Sequence, residues 1–177
     1  QVMVFTRDQK DLFVRLTGFF GRMGFTILDA KVHTTRHGYA LDSFMLQDPG
    51  HQAAYRDIVT LIEHELSARL QHLGPPDRPS RGRMSRQVKH FPISPQISIR
   101  PDESGRHHVL SLIAADRPGL LFDVASVLAE HGIRLHTAKI ATLGERVEAA
   151  FLLTGQVLAQ DAQVLRIERE LLDRLQL

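Results

Sequence analysis

Cysteine is absent from all 177 residues, which excludes disulfides, thiolate metal sites and cysteine nucleophiles. Long apolar runs are absent as well. Nothing approaches the roughly 18 consecutive apolar residues a bilayer-crossing helix needs, and the start carries no signal-peptide pattern. Together these absences are the pattern expected of a cytoplasmic chain with no membrane partner. Aromatic residues are scarce, at 6%, and charge of neither sign dominates: 22 Lys and Arg face 20 Asp and Glu, a net of +2. A surplus that small does not point to nucleic acid unless it is clustered. What is present is ordinary for a soluble globular protein, with 43% apolar and 24% charged residues. Gln1 runs directly into an apolar stretch, Val2 to Phe5, which reads as a fragment of something longer.

The chain repeats itself. Gly24-Phe25-Thr26-Ile27-Leu28-Asp29-Ala30-Lys31-Val32 aligns with Gly132-Ile133-Arg134-Leu135-His136-Thr137-Ala138-Lys139-Ile140 at an offset of 108. The offset extends backwards, placing Asp8 on Asp116 and Leu12 on Leu120. Forwards, one residue is dropped in a turn, and Phe44 meets Phe151.

Each copy predicts the same elements. A strand (Val2 to Thr6; Val109 to Ala115) precedes a helix with Leu12, Leu16, Phe19, Phe20 and Met23, or Leu120, Val124, Val127 and Leu128, at helical spacing. Gly24 and Gly132 suit left-handed C-terminal caps. Two strands joined at His37-Gly38 or Gly144-Glu145 follow, then a second helix, from about Ala53 to His72 or from about Asp161.

This order calls for an α+β fold of two ferredoxin-like βαββαβ modules. Val88 to Phe91 can supply the last strand of the first. The second has none left, so Gln96 to Arg100 is expected to take the vacant edge, a permuted arrangement. The expected boundaries are 1–73 plus 86–92 for the first module, 74–85 for a linker rich in proline and glycine, and 93–177 for the second. Val109 to Ala115 is apolar on both faces, so something beyond its own helices, such as another module, should cover its open face or edges.

The sharpest motif is Ala115-Asp116-Arg117-Pro118-Gly119-Leu120-Leu121 at a strand-to-helix junction. Proline near the first helical position presets the backbone angle, and Gly119 leaves the backbone N–H groups open to an anion such as a carboxylate. A well-capped helix start with no ligand would look the same. The first copy differs: Asp8-Gln9-Lys10-Asp11-Leu12-Phe13 puts Lys10 where Pro118 sits and Asp11 where Gly119 sits. A carboxylate there would repel a ligand carboxylate, so that copy either binds nothing or binds through different groups.

With Asp116-Arg117-Pro118-Gly119-Leu120-Leu121, His131-Gly132-Ile133 and Ala138-Lys139-Ile140, the second copy resembles the ACT domain family. In that family a D-R-P-G-L turn starts the first helix, and small molecules, usually amino acids, bind beside it between paired domains. The runs Lys139 to Glu148 and His33 to Asp42, the tandem arrangement and the linker are similar to the ACT region of bacterial protein-PII uridylyltransferases, over nearly the whole chain. The resemblance implies a regulatory region that senses an amino acid, glutamine above all. Through catalytic domains outside this chain it would control uridylylation and deuridylylation of the PII signalling protein. The ligand site implied is Ala115, Asp116, Arg117, Gly119, Leu120 and Leu121, completed by Arg134, Leu135 and His136 on the strand of the same module.

No catalytic residues are expected here. There is no G-S-type nucleotidyltransferase signature, no HD dipeptide and no paired nucleophile and base. No cofactor is implied. The ten histidines suggest no metal either, since His107 and His108 point to opposite strand faces and His64-Glu65 lacks a second histidine at 68. The basic residues Arg78, Arg81, Arg83, Arg86 and Lys89 read as a solvated linker. The other readings are an ACT region of an amino-acid biosynthetic enzyme, a stand-alone sensor, or a nucleic-acid-binding module. The last lacks the K/R-G-F-G-F-type strand that RNA-recognition modules use.

Overall fold

The computed structural model describes residues 1–48, 50, 54–72, 74–79 and 93–176. The first module comprises β1 (Val2–Arg7), α1 (Leu12–Arg22), β2 (Thr26–His33), β3 (Tyr39–Gln47) and α2 (Tyr55–Gln71). The second opens with β4 (Gln96–Pro101), then β5 (His108–Ala115), α3 (Leu120–Glu130), β6 (Arg134–Leu143) and β7 (Arg146–Thr154). A 3-10 turn, Gln156–Ala159, which periodicity does not foretell, leads into α4 (Asp161–Leu175). The strand expected at Val88 to Phe91, the rest of 86–92, and Arg81, Arg83, Arg86 and Lys89 lie outside the described residues.

Both first helices stop where the glycines stop them. Gly24 and Gly132 take positive φ, 80° and 65°. The following N–H reaches back to the last turn, Phe25 to the Phe20 carbonyl at 3.0 Å and Ile133 to the Leu128 carbonyl at 2.9 Å. The reversal aims each next strand back along the sheet.

Among the described residues the strands form one sheet, ordered β1-β3-β2-β6-β7-β5-β4, with every neighbouring pair antiparallel. β4 takes the edge beside β5, the permuted placement its position before the second copy called for. The modules join edge to edge through β2 and β6. Lys31 lies opposite Lys139, its own counterpart 108 residues on, with Ala30 opposite Ile140 and Val32 opposite Ala138. The copies are therefore related by a pseudo-twofold running between the two lysines.

The helices pack together on one face of this sheet, α1 against α3 and α3 against α4. The inward residues of both modules, among them Phe44, Leu110, Ile140 and Phe151 at 0–1% exposure, form one continuous core with Leu16, Phe19, Phe20, Val124 and Val127. Phe13 on α1 meets Phe151 on β7 edge to face, 6.2 Å between ring centroids, across the module boundary. On β5, Leu110, Leu112 and Ala114 face the helices, and both edges are paired. The first module attaches at β6 instead, and Val109, Ile113 and Ala115 stay half-exposed on the outer face. Pairing thus answers the apolar edges of β5 but not its second apolar face.

Residues 74–79 cross the helix layer. Arg15 donates to the Gly74 carbonyl at 2.7 Å, and Asp77 pairs with Arg69 and, at 3.6 Å, with Arg22. The crossing depends on missing side chains. A Cβ on Gly18 would lie 2.1 Å from the Asp77 carbonyl oxygen, and one on Gly21 2.8 Å from Pro79. Alanine normally favours a helix over glycine by about 1 kcal/mol. At position 18 the clash with backbone should reverse that sign. We expect Gly18→Ala to lower stability by about 1 kcal/mol and to lift the segment off α1. Thermal denaturation and protease nicking near Asp77 would check this; a more stable, nick-resistant variant would contradict it.

Candidate functional site

The pseudo-twofold creates two cavities, each walled by the strand-to-helix turn of one module and the helix-to-strand turn of the other. The second turn, Asp116 to Phe122, faces Gly24 to Ile27 of the first module across a cavity of about 420 Å³. The first turn, Asp8 to Leu12, faces Gly132 to Leu135 across one of about 400 Å³. Both volumes suit a small molecule.

In the second-turn cavity Gly119 is the residue before α3, at φ 82°, with Asp116 N–H held by the Glu145 carbonyl at 2.8 Å. The first N–H groups of a helix have no acceptor inside it, so α3 presents donors and the positive end of its dipole here. Arg117 is turned to other work. Its Nη2 donates to Asp123 at 2.6 Å and to the Arg174 carbonyl at 2.7 Å, clamping the turn to the end of α4. Burial, and then the charge of Glu145, raise the Asp116 carboxyl above its ordinary range, against the Arg117 N–H that lowers it. Pro79 closes part of the rim, 3.4 Å from where a Cβ on Gly119 would be.

Of the residues singled out from the sequence, Asp116, Arg117, Gly119, Leu120 and Leu121 line this cavity together. Ala115 ends β5, half-exposed and paired with Arg146. Arg134 and Leu135 are not brought to the second turn; they line the other cavity, where Arg134 Nη2 donates to Asp8 at 2.8 Å. His136 lines neither. Its Nε2 lies 2.7 Å from Thr154 Oγ1 and its ring stands edge-on to His107 at 5.4 Å, while burial, then Arg134 and His107, depress its basicity. The strand that completes the second turn is β2 of the first module, through Thr26 and Ile27. The signal for that was the repeat itself, which needs a pairing axis before it says which turn meets which strand.

The first turn keeps the geometry with different chemistry. Asp11 takes the left-handed conformation of Gly119, at φ 61°, and among the described residues it is the only non-glycine with positive φ. Gln9 donates to the Leu70 carbonyl at 3.1 Å. Behind the turn, on the inward phase of β3 between Ala40 and Phe44, Asp42 is 1% exposed. Its Oδ1 accepts from the His33 N–H at 3.4 Å, and Oδ2 has no partner among the described residues.

Residues 108–173 match the family model of the ACT domain. Residues 108–173 therefore form a domain of the ACT class, and the first module repeats the same order of elements. More particularly, the whole chain is similar to part of bacterial bifunctional uridylyltransferase/uridylyl-removing enzymes. It is 78% identical over 175 residues to the enzyme of that name from Aromatoleum aromaticum, covering 99% of this chain and 20% of the relative. The enzymes of the same name from Ralstonia nicotianae and Cupriavidus pinatubonensis are 53% and 51% identical, over 99% and 100% of this chain and 21% of each relative. The chain therefore spans about one fifth of the length of these relatives.

Proposed function

We propose that this tandem pair senses an amino acid, glutamine first, and biases catalytic domains elsewhere in a parent enzyme between adding and removing uridylyl groups on PII. The observation that supports this best is that the second-turn cavity takes its walls from both modules. A ligand held there has contacts only when the modules are paired in this way, so it favours that arrangement over others by its differential binding. Its α-carboxylate meets the N–H groups at the start of α3. Its side-chain amide needs a donor and an acceptor, and the cavity offers Thr26 of the first module together with Thr142 of the second, whose hydroxyl donates to the Ile27 carbonyl at 2.8 Å and keeps its oxygen free to accept.

The relatives' name supplies the uridylyl chemistry, and the resemblance of the second turn supplies the amino-acid class. The test is calorimetry of the full chain with glutamine, with other amino acids and with a short RNA. We expect heat with glutamine and a loss of affinity of more than tenfold in Gly119→Asp, which copies the first module's turn and places a carboxylate against the ligand's own. Unchanged affinity in that variant would move the site elsewhere. Salt-sensitive RNA binding with no amino-acid heat would replace the reading altogether.

A further inference from the structure

The pseudo-twofold that pairs the modules also sets the two outer edges of the sheet against each other, and the edges are not alike. β4 closes one side beside β5. β1, the counterpart of β5, ends the other side with no strand next to it among the described residues. An unpaired edge offers backbone N–H and carbonyl groups to any further strand, and folded proteins usually blunt it. β4 shows how. Its Ile99 N–H donates to the Glu168 carboxylate of α4 at 2.7 Å, Pro101 has no N–H to offer, and α4 packs against it. β1 reads Val-Met-Val-Phe-Thr-Arg, with no proline, and no described side chain bonds its backbone.

The side chains beside this edge lack cover. On the outer face Met3 and Phe5 are 66% and 67% exposed, and Leu41 and Met45 on β3 are exposed with them. The repeat places Phe5 on Ile113, which lies opposite Gln96 of β4 and is only half-exposed. The same position is covered where the neighbouring strand is present. The repeat also says where such a strand comes from. β4 precedes β5 in the chain, so its counterpart precedes β1, about ten residues ahead of Gln1.

We propose that the free edge of β1 is a docking site for an extended segment of the parent chain carried just ahead of Gln1, hydrogen-bonded antiparallel to β1 as β4 is to β5. The segment presents two apolar residues toward Val2 and Val4, as Ile99 and Ile97 lie opposite Leu110 and Leu112. Backbone hydrogen bonds give such a strand its affinity, and the alternating side chains give it its register. The added strand fastens the module pair, through backbone contacts, to the part of the parent that precedes it. No ligand takes part, so failure here leaves the glutamine reading untouched.

The test is amide hydrogen exchange followed by NMR on two unaltered proteins, this chain and the chain extended by about 25 residues that precede it in the parent. In the shorter protein the β1 amides that point away from β3 are expected to exchange freely at every protein concentration. In the longer one they should slow at least tenfold, with cross-strand contacts from the added segment to Val2 and Val4, while β4 and β5 stay unchanged. A proline in the middle of the added segment, where its N–H would donate to β1, should restore free exchange in β1 alone. Equal β1 exchange in the two proteins would overturn the proposal. Protection in the shorter protein that Val88→Pro abolishes would give the edge to residues 88–91 and overturn it too. Protection that grows with concentration would give the edge to a second copy, with the same result. The comparison of the two lengths decides the matter even if the proline variant fails to fold.

Discussion

Phe151→Ala is expected to unfold both modules together, in a single transition, at a cost of about 3–5 kcal/mol. Phe151 is fully buried on β7 of the second module, and its ring packs edge-on against Phe13 of the first. Removing it takes away the buried area of a large side chain. It also opens a cavity exactly where the two modules share their core, which neither can close alone. The readout is built into the chain. Its two tyrosines, Tyr39 and Tyr55, both lie in the first module, and Tyr39 is stacked on Phe5 at 5.2 Å. Urea unfolding followed by tyrosine fluorescence reports the first module, while far-ultraviolet circular dichroism reports all the helices. Coincident midpoints, both shifted by the mutation in the second module, are expected. A tyrosine midpoint that stays in place while the helical signal moves would mean that the modules unfold independently.

That shared core was only half legible in the sequence. The offset of 108 residues identifies two modules, the glycines at 24 and 132 fix the ends of their first helices, and the surplus strand before the second copy announces the permuted edge. All of this is local, set by side-chain periodicity and backbone angles. Which edges then meet is not local. Alternation along β2 and β6 says which side chains face the helices, but a strand edge is made of backbone and carries no such mark. For that reason the sequence ties Arg134, Leu135 and His136 to the turn of their own module, whereas the twofold brings the start of β2 to the second turn and the start of β6 to the first.

Two further features left signals that periodicity alone undervalues. Gly18 and Gly21 sit within a strongly apolar helix, where a glycine without a cap to make marks a close approach of backbone; the segment around Asp77 is what approaches. Asp42 occupies the inward phase of β3, between Ala40 and Phe44, where an apolar residue belongs. A carboxylate in that phase is a misfit readable from the sequence.

The misfit also has a measurable cost, which Asp42→Asn should recover. Burial, together with the charge of Asp8 and against the His33 N–H, pushes the Asp42 carboxyl from its ordinary 3.8 up to about 6. Lys10, Asp11 and Arg134 are the other charged residues lining its cavity. Between those two values the folded protein holds a proton on Asp42 that the unfolded chain has released. Stability from this group therefore falls as pH rises from about 4 to about 6, and the penalty is complete above that. The full shift corresponds to about 3 kcal/mol. Asparagine removes the charge but keeps a buried polar group with a partner to find, so a gain of about 1–2 kcal/mol at pH 7.5 is expected. Urea unfolding of both proteins from pH 4 to pH 8 checks it. The difference between them should be near zero at pH 4, open through pH 5 and 6, and level off above. A constant difference across that range would mean that Asp42 carries no buried charge in the folded state.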